Sequence, residues 1–153
     1  MATLTSVNWR RIASQGIVAG IIGAILIDAF LYLALLVPAH QPLTAMWQSI
    51  SATATANSIA NPLLGLIVHF CISIAWALGY AYVAHTREAV ASRPYISGPV
   101  YGFIVMVIMQ LVQMAAGVHL PAMTAMGFIT GLVAHCIFFG LPIALYVSRA
   151  MRT

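Results

Sequence analysis

Four long apolar stretches, at about residues 14–37, 62–84, 97–117 and 127–148, decide what this chain can fold into. Each spans about 21 to 24 residues, enough for a helix rising 1.5 Å per residue to cross a hydrocarbon core about 30 Å thick. Inside such a core each backbone N–H and C=O must bond within its own segment, which makes the stretches helices. Composition leaves no other outcome: 63% of the 153 residues are apolar and 5% are charged, against about 45–50% and about 25% in a soluble domain. A water-soluble globule and a disordered chain are both excluded. The expected fold class is all-α integral membrane, a single transmembrane domain over residues 1–153.

The charges orient the spans. Six arginines, no lysine, one aspartate and one glutamate make up the charged set. Arg10 and Arg11 precede the first stretch, Arg87 and Arg93 separate the second from the third, and Arg149 and Arg152 follow the fourth. With four crossings every arginine falls on one face, and arginine marks the cytoplasmic face. The expectation is a bacterial-type inner-membrane protein with both termini cytoplasmic and segments 38–61 and 118–126 facing outward. The net charge of +4 is too thinly spread to form a phosphate-binding patch, so nucleic acid is excluded as a partner. The first stretch exceeds a cleavable h-region and Val37-Pro38-Ala39-His40 is a poor cleavage site, so it reads as an uncleaved helix. Cys71 and Cys136 read as small buried apolar residues inside the spans.

The second and fourth stretches repeat one another. Gly65-Leu-Ile-Val-His69 stands 66 residues before Gly131-Leu-Val-Ala-His135. At an offset of 82, Gly16-Ile-Val-Ala-Gly20 matches Gly98-Pro-Val-Tyr-Gly102 and Asp28 falls on Gln110. Two tandem hairpins of the same orientation, related by a pseudo-two-fold axis along the membrane normal, follow from that pattern. Small residues expected at helix contacts are Gly16, Gly20, Gly23, Gly98, Gly102, Gly127 and Gly131, with Ala75 and Gly79, since membrane helices associate by close approach. Pro99 is expected in the first turn of its helix, and Pro142 is expected to kink the fourth near Phe138. In the first outer loop Met46, Trp47 and Ile50 fall on one helical face. A short interfacial helix over 43–56 is expected, with Trp47 as its interface anchor; a lid over the bundle is the alternative.

Polar side chains inside the spans are few. At 1.5 Å per residue, Asp28, His69, Gln110 and His135 all lie about 3–6 Å outward of the membrane centre, with Gln113 about one turn further out. A carboxylate at that depth is expensive and should face the bundle interior beside a donor. Four readings of the layer stand open: an interhelical hydrogen-bond network; heme b held by His69 and His135; a transition-metal site of His69, His135 and Asp28; and a proton or solute path. His40 and His119, at the outer ends of the first and third stretches, form a candidate outward-facing metal site with Met114, Met123 and Met126.

The glycine-rich first stretch, Gly65-Leu-Ile-Val-His69-Phe with Ala77-Leu-Gly-Tyr80-Ala, Gly98-Pro-Val-Tyr-Gly102 and His135 together resemble an uncharacterised family of small bacterial four-helix membrane proteins. The resemblance covers most of residues 12–148, implies the four-helix fold and carries no catalytic residues. No motif for a hydrolase, nucleotide-binding or heme-attachment site is present. The expected role is a binding or accessory subunit of a membrane assembly, not an enzyme, in contact with lipid and with other membrane subunits or further copies of itself. A small transporter or redox carrier built on the polar layer is the alternative.

Overall fold

In a computed structural model, which describes residues 8–56, 58–115, 117 and 124–152, the chain is helical throughout its regular structure. Four helices are long and apolar enough to cross a membrane: Trp9–Leu36, Pro62–Thr86, Pro94–Ala115 and Ala125–Arg152. Large apolar side chains such as Ile25, Leu63, Val100 and Ile129 project from all four. Such surface is stable only against lipid, and the chain is a multi-pass membrane protein.

Local chemistry sets the starts. Asn8 accepts from the Arg11 amide at 3.2 Å, Asn61 accepts from the Leu63 and Leu64 amides, and Thr124 accepts from the Gly127 amide at 3.0 Å. Each satisfies donors that a helix N-terminus leaves orphaned. The third span begins at Pro94, so Pro99 sits inside the helix and not in its first turn as the sequence suggested. Two stretches widen into π-helix, Tyr32–Leu36 and Ala134–Gly140. The second ends two residues before Pro142. The missing proline N–H is thus absorbed by a wider turn spread over the whole preceding segment.

The first span packs against the second and fourth, and the third packs against the fourth. Glycine makes these contacts close. A methyl group at Gly20 would lie 2.5 Å from Ile74 Cα, and one at Gly16 would lie 2.8 Å from Leu78 Cα. The same approach lets Ser73 donate to the Gly20 carbonyl at 2.8 Å. Gly98 meets the Leu141 backbone, Gly102 meets the His135 carbonyl, and Gly23 meets Phe139 and Ile143. Among the described residues Gly127 and Gly131 do not pack this way: the first faces Thr124 and the second lies beneath the Met106 sulfur. In their place Gly140, which no stripe pattern marked, touches the Gly98 and Gly102 backbones. Ala75, Gly79 and Cys71 are exposed toward lipid, contrary to expectation.

The second and third spans meet through side chains. Tyr101 donates to the Trp76 carbonyl at 2.5 Å. The Tyr80 hydroxyl lies 2.8 Å from Ser97 Oγ, and Ser97 in turn donates to the Val90 carbonyl, so Tyr80 is the donor of the pair. The Tyr80–Ser97 contact, together with a bond from Ser148 to the Ala91 carbonyl, lies toward the arginine-bearing end. So does a network absent from the sequence reading. Gln15, 5% exposed, holds His85 Nε2 at 2.8 Å and donates to the Ala150 carbonyl at 3.1 Å, which Arg11 also reaches.

Candidate functional site: a capped cavity around Asp28

At the opposite end the second and third spans leave a cavity of about 740 Å³. The first span contributes Ile27, Asp28 and Leu31 to its wall, and the second contributes His69 and Trp76. The third supplies Met109 and Gln113, and the fourth supplies His135 and Phe139. The roof is the helix Leu43–Ala54, which presents Met46, Ser49, Ile50 and Thr53 to the interior. Its backbone at Trp47 rests on Gly65, where no Cβ would fit, and Ser51 Oγ accepts from the Asn61 amide at 2.8 Å. The expected short helix is therefore present, and it is folded down onto the second span.

Asp28 is the centre of the site. It is 7% exposed, and both of its oxygens are engaged. Oδ1 lies 2.8 Å from His69 Nε2, and neither of these two atoms has a further partner among the described residues. Oδ2 accepts from the Trp47 indole N–H at 3.1 Å. Trp47, expected as an interface anchor, points its indole N–H into the bundle. Its one polar group is spent on a carboxylate inside the bundle, where an unmet oxygen would be costly, instead of on lipid headgroups. The roof is thus tied to two transmembrane spans through a single carboxylate.

His135 sits in the π-helical segment with Nδ1 2.8 Å from the Gly131 carbonyl. A carbonyl can only accept, so Nδ1 carries the proton and the neutral ring leaves Nε2 as a lone pair. His69 is fixed from the other side: its Nε2 faces the carboxylate, leaving Nδ1. Phe30 and Phe138 stack with ring centroids 4.3 Å apart and join the first and fourth spans.

The polar layer is gathered in part. Asp28, His69, His135 and Gln113 border one cavity, whereas Gln110, the repeat partner of Asp28, is not among its lining residues. The two glutamines stand about 60° apart on the helix, and it is Gln113 whose side turns inward. For the transition-metal expectation, no three of His, Cys, Asp and Glu form a group able to hold a metal ion among the described residues. Of the Asp28 oxygens, Oδ2 accepts from Trp47, while Oδ1 faces His69 Nε2 at 2.8 Å without a hydrogen bond from it. Of the outward-facing candidate site, His40 is exposed with φ 54° in the turn after the first span, and His119 and Met123 lie outside the described residues. Met114 and Met126 are 63% and 71% exposed.

Compared with family models, curated proteins and solved structures, the chain matches none. Fold and site define a class on their own terms: a four-span membrane protein with a helix-roofed cavity at the end away from its arginines.

Proposed function

We propose that this chain is a binding subunit of the inner membrane that accommodates a lipophilic small molecule in the roofed cavity, presenting it to a membrane assembly without itself catalysing a reaction. One observation carries the reading. A space of about 740 Å³ falls in the 300–1,000 Å³ range typical of small-molecule sites, which are apolar with a few fixed polar groups. A hydrogen-bond network serving only to set helix register needs no such volume. The positive-inside rule supports cytoplasmic termini, which would set the cavity in the outer leaflet. Between the second and third spans the cavity wall consists of side chains such as Val68, Ile72 and Val112, which suits entry from the bilayer.

The tandem-hairpin reading is supported by the contacts. Gly16 meets Leu78 where Gly98 meets Ala144, and Gly20 meets Ile74 where Gly140 meets Gly102. Leu78 and Ala144 are equivalent in the repeat, as are Ile74 and Gly140. We infer two hairpins of common ancestry and shared orientation, with the pseudo-two-fold axis between them.

The test is titration of the purified protein in nanodiscs with the lipophilic dye N-phenyl-1-naphthylamine, read by energy transfer from tryptophan. Saturable binding is expected, lost on filling the cavity with Val68→Trp while the unfolding temperature holds. Non-saturable partitioning that is indifferent to Val68→Trp overturns the reading.

A redox-carrier role has one observation in its favour. A histidine that gives Nδ1–H to a backbone carbonyl and leaves Nε2 bare is arranged as an axial heme ligand is. His135 meets that description and His69, whose Nε2 faces Asp28, does not. A Soret band abolished by His135→Ala and retained in His69→Ala would support heme b on one axial histidine. Failure of heme to bind after reconstitution removes this role.

A further inference from the structure

We infer a second binding site, for an anionic phospholipid of the arginine-side leaflet, in the groove between the first and fourth spans. It is distinct from the roofed cavity and does not depend on what that cavity holds. The groove has a volume of about 530 Å³ and is walled by Ile22, Pro142, Leu145 and Tyr146, with Arg149 and Ala150 at its mouth. From Leu141, at its inner limit, to Arg149 the fourth span rises about 12 Å. That depth takes the upper part of an acyl chain and sets the lipid headgroup at the guanidinium.

The mouth is cationic from two sides. Arg149 forms no ion pair with a carboxylate among the described residues, whose single carboxylate pair is Asp28 with His69. Arg11, on the first span, directs Nη2 to the Ala150 carbonyl at 3.3 Å, which fixes its guanidinium on the groove's edge; among the described residues its side chain makes no other hydrogen bond. Gln15, bonded to the same carbonyl, pins this end of the first span to the fourth. Two guanidiniums from different helices at the head of an apolar channel match a phosphate diester joined to a hydrocarbon chain. Guanidinium binds phosphate through paired N–H donors, and basic pockets between helices at a membrane face hold anionic headgroups. A zwitterionic lipid offers the same phosphate but brings its own cation beside the two guanidiniums, so its net attraction is weaker than that of an anionic lipid.

The experiment uses the full chain reconstituted in phosphatidylcholine bilayers containing a minor fraction of phosphatidylglycerol, then released into mild detergent for native mass spectrometry. Retention of phosphatidylglycerol well above its bilayer share is expected. Arg11→Gln with Arg149→Gln should lower that retention at least tenfold, and Arg87→Gln with Arg93→Gln should leave it unchanged. Leu145→Trp, which fills the channel and keeps every charge, should lower it equally; Arg149→Lys should keep part of it. Thermal unfolding of each variant separates lost binding from lost fold. Equal retention of phosphatidylcholine overturns the charge selection. Full displacement by inorganic phosphate overturns the part played by the acyl channel, and an equal loss in Arg87→Gln with Arg93→Gln reduces the site to general attraction.

Discussion

Removing the imidazole of His69 should destabilise the protein far more than neutralising Asp28, and neutralising Asp28 should then rescue it. The two groups face each other at 2.8 Å with side chains 11% and 19% exposed for Asp28 and His69. With the imidazole protonated, the gross attraction at that distance is about 6 kcal/mol for an effective dielectric of 20. Desolvation offsets much of it, yet stripping one partner from a buried pair costs about 3–5 kcal/mol because the other charge is stranded. His69→Ala strands a carboxylate held only by Trp47. Asp28→Asn strands nothing: its amide oxygen still accepts from the indole and its N–H₂ faces the ring, so the loss is about 1 kcal/mol. For a chain of this length about 2–4 °C accompanies each kcal/mol, so His69→Ala should lower the unfolding temperature by about 6–20 °C. The double variant Asp28→Asn, His69→Ala should recover about 2 kcal/mol of the loss. The assay is thermal unfolding in mild detergent followed by far-ultraviolet circular dichroism. A double variant as unstable as the sum of the two singles refutes the reasoning, because it shows that no charge on Asp28 was being met by His69.

Trp47→Phe keeps most of the roof's apolar area but leaves Asp28 Oδ2 without its donor, a loss of about 1–3 kcal/mol. Its signature is faster maleimide labelling of a Thr53→Cys reporter on the roof helix, with the four spans intact by circular dichroism. Gly20→Val should unfold or mispack the first two spans, since its Cβ lies 2.5 Å from Ile74 Cα and backbone cannot yield cheaply. Gly131→Ala, whose Cβ would stand 3.7 Å from the Met106 sulfur, should change stability by less than about 0.5 kcal/mol; comparing their unfolding temperatures checks both. Gln15→Ala removes the link between His85 and the Ala150 carbonyl and should cost about 1–2 kcal/mol. The measurement is amide hydrogen exchange, with faster exchange expected at the arginine end and unchanged exchange around Asp28.

The spans were legible because length and apolarity alone define a crossing helix, and the four observed helices overlap the four stretches nearly end to end. The roof helix was legible from the spacing of Met46, Trp47 and Ile50. Asp28, His69 and His135 stood out because an ionisable group at mid-membrane has few places to go. What sequence withheld was azimuth. In a soluble helix the apolar stripe points to the core, but in lipid the outer face is equally apolar, so hydropathy does not say whether Gln110 or Gln113 turns inward. The same blindness ranked Gly127 and Gly131 with the true contact glycines and passed over Gly140 and Gly65. Trp47 was placed by its residue type, which favours headgroups, because its partner lay 19 residues away in another helix. Gln15 and His85 drew no attention, being 70 residues apart with nothing in the pattern to couple them.

Glycine contacts bind the first span to the second and the third to the fourth through backbone, whereas the second and third are joined by hydroxyl groups and aromatic rings. Side chains can swing where main chain cannot slide. The molecule therefore resembles a hinged book: two stiff covers, a spine where the first and fourth spans touch, and a fore-edge whose clasp is Tyr101 on Trp76. Loosening that clasp would part the pages along the bilayer plane while every backbone hydrogen bond within each cover stayed closed.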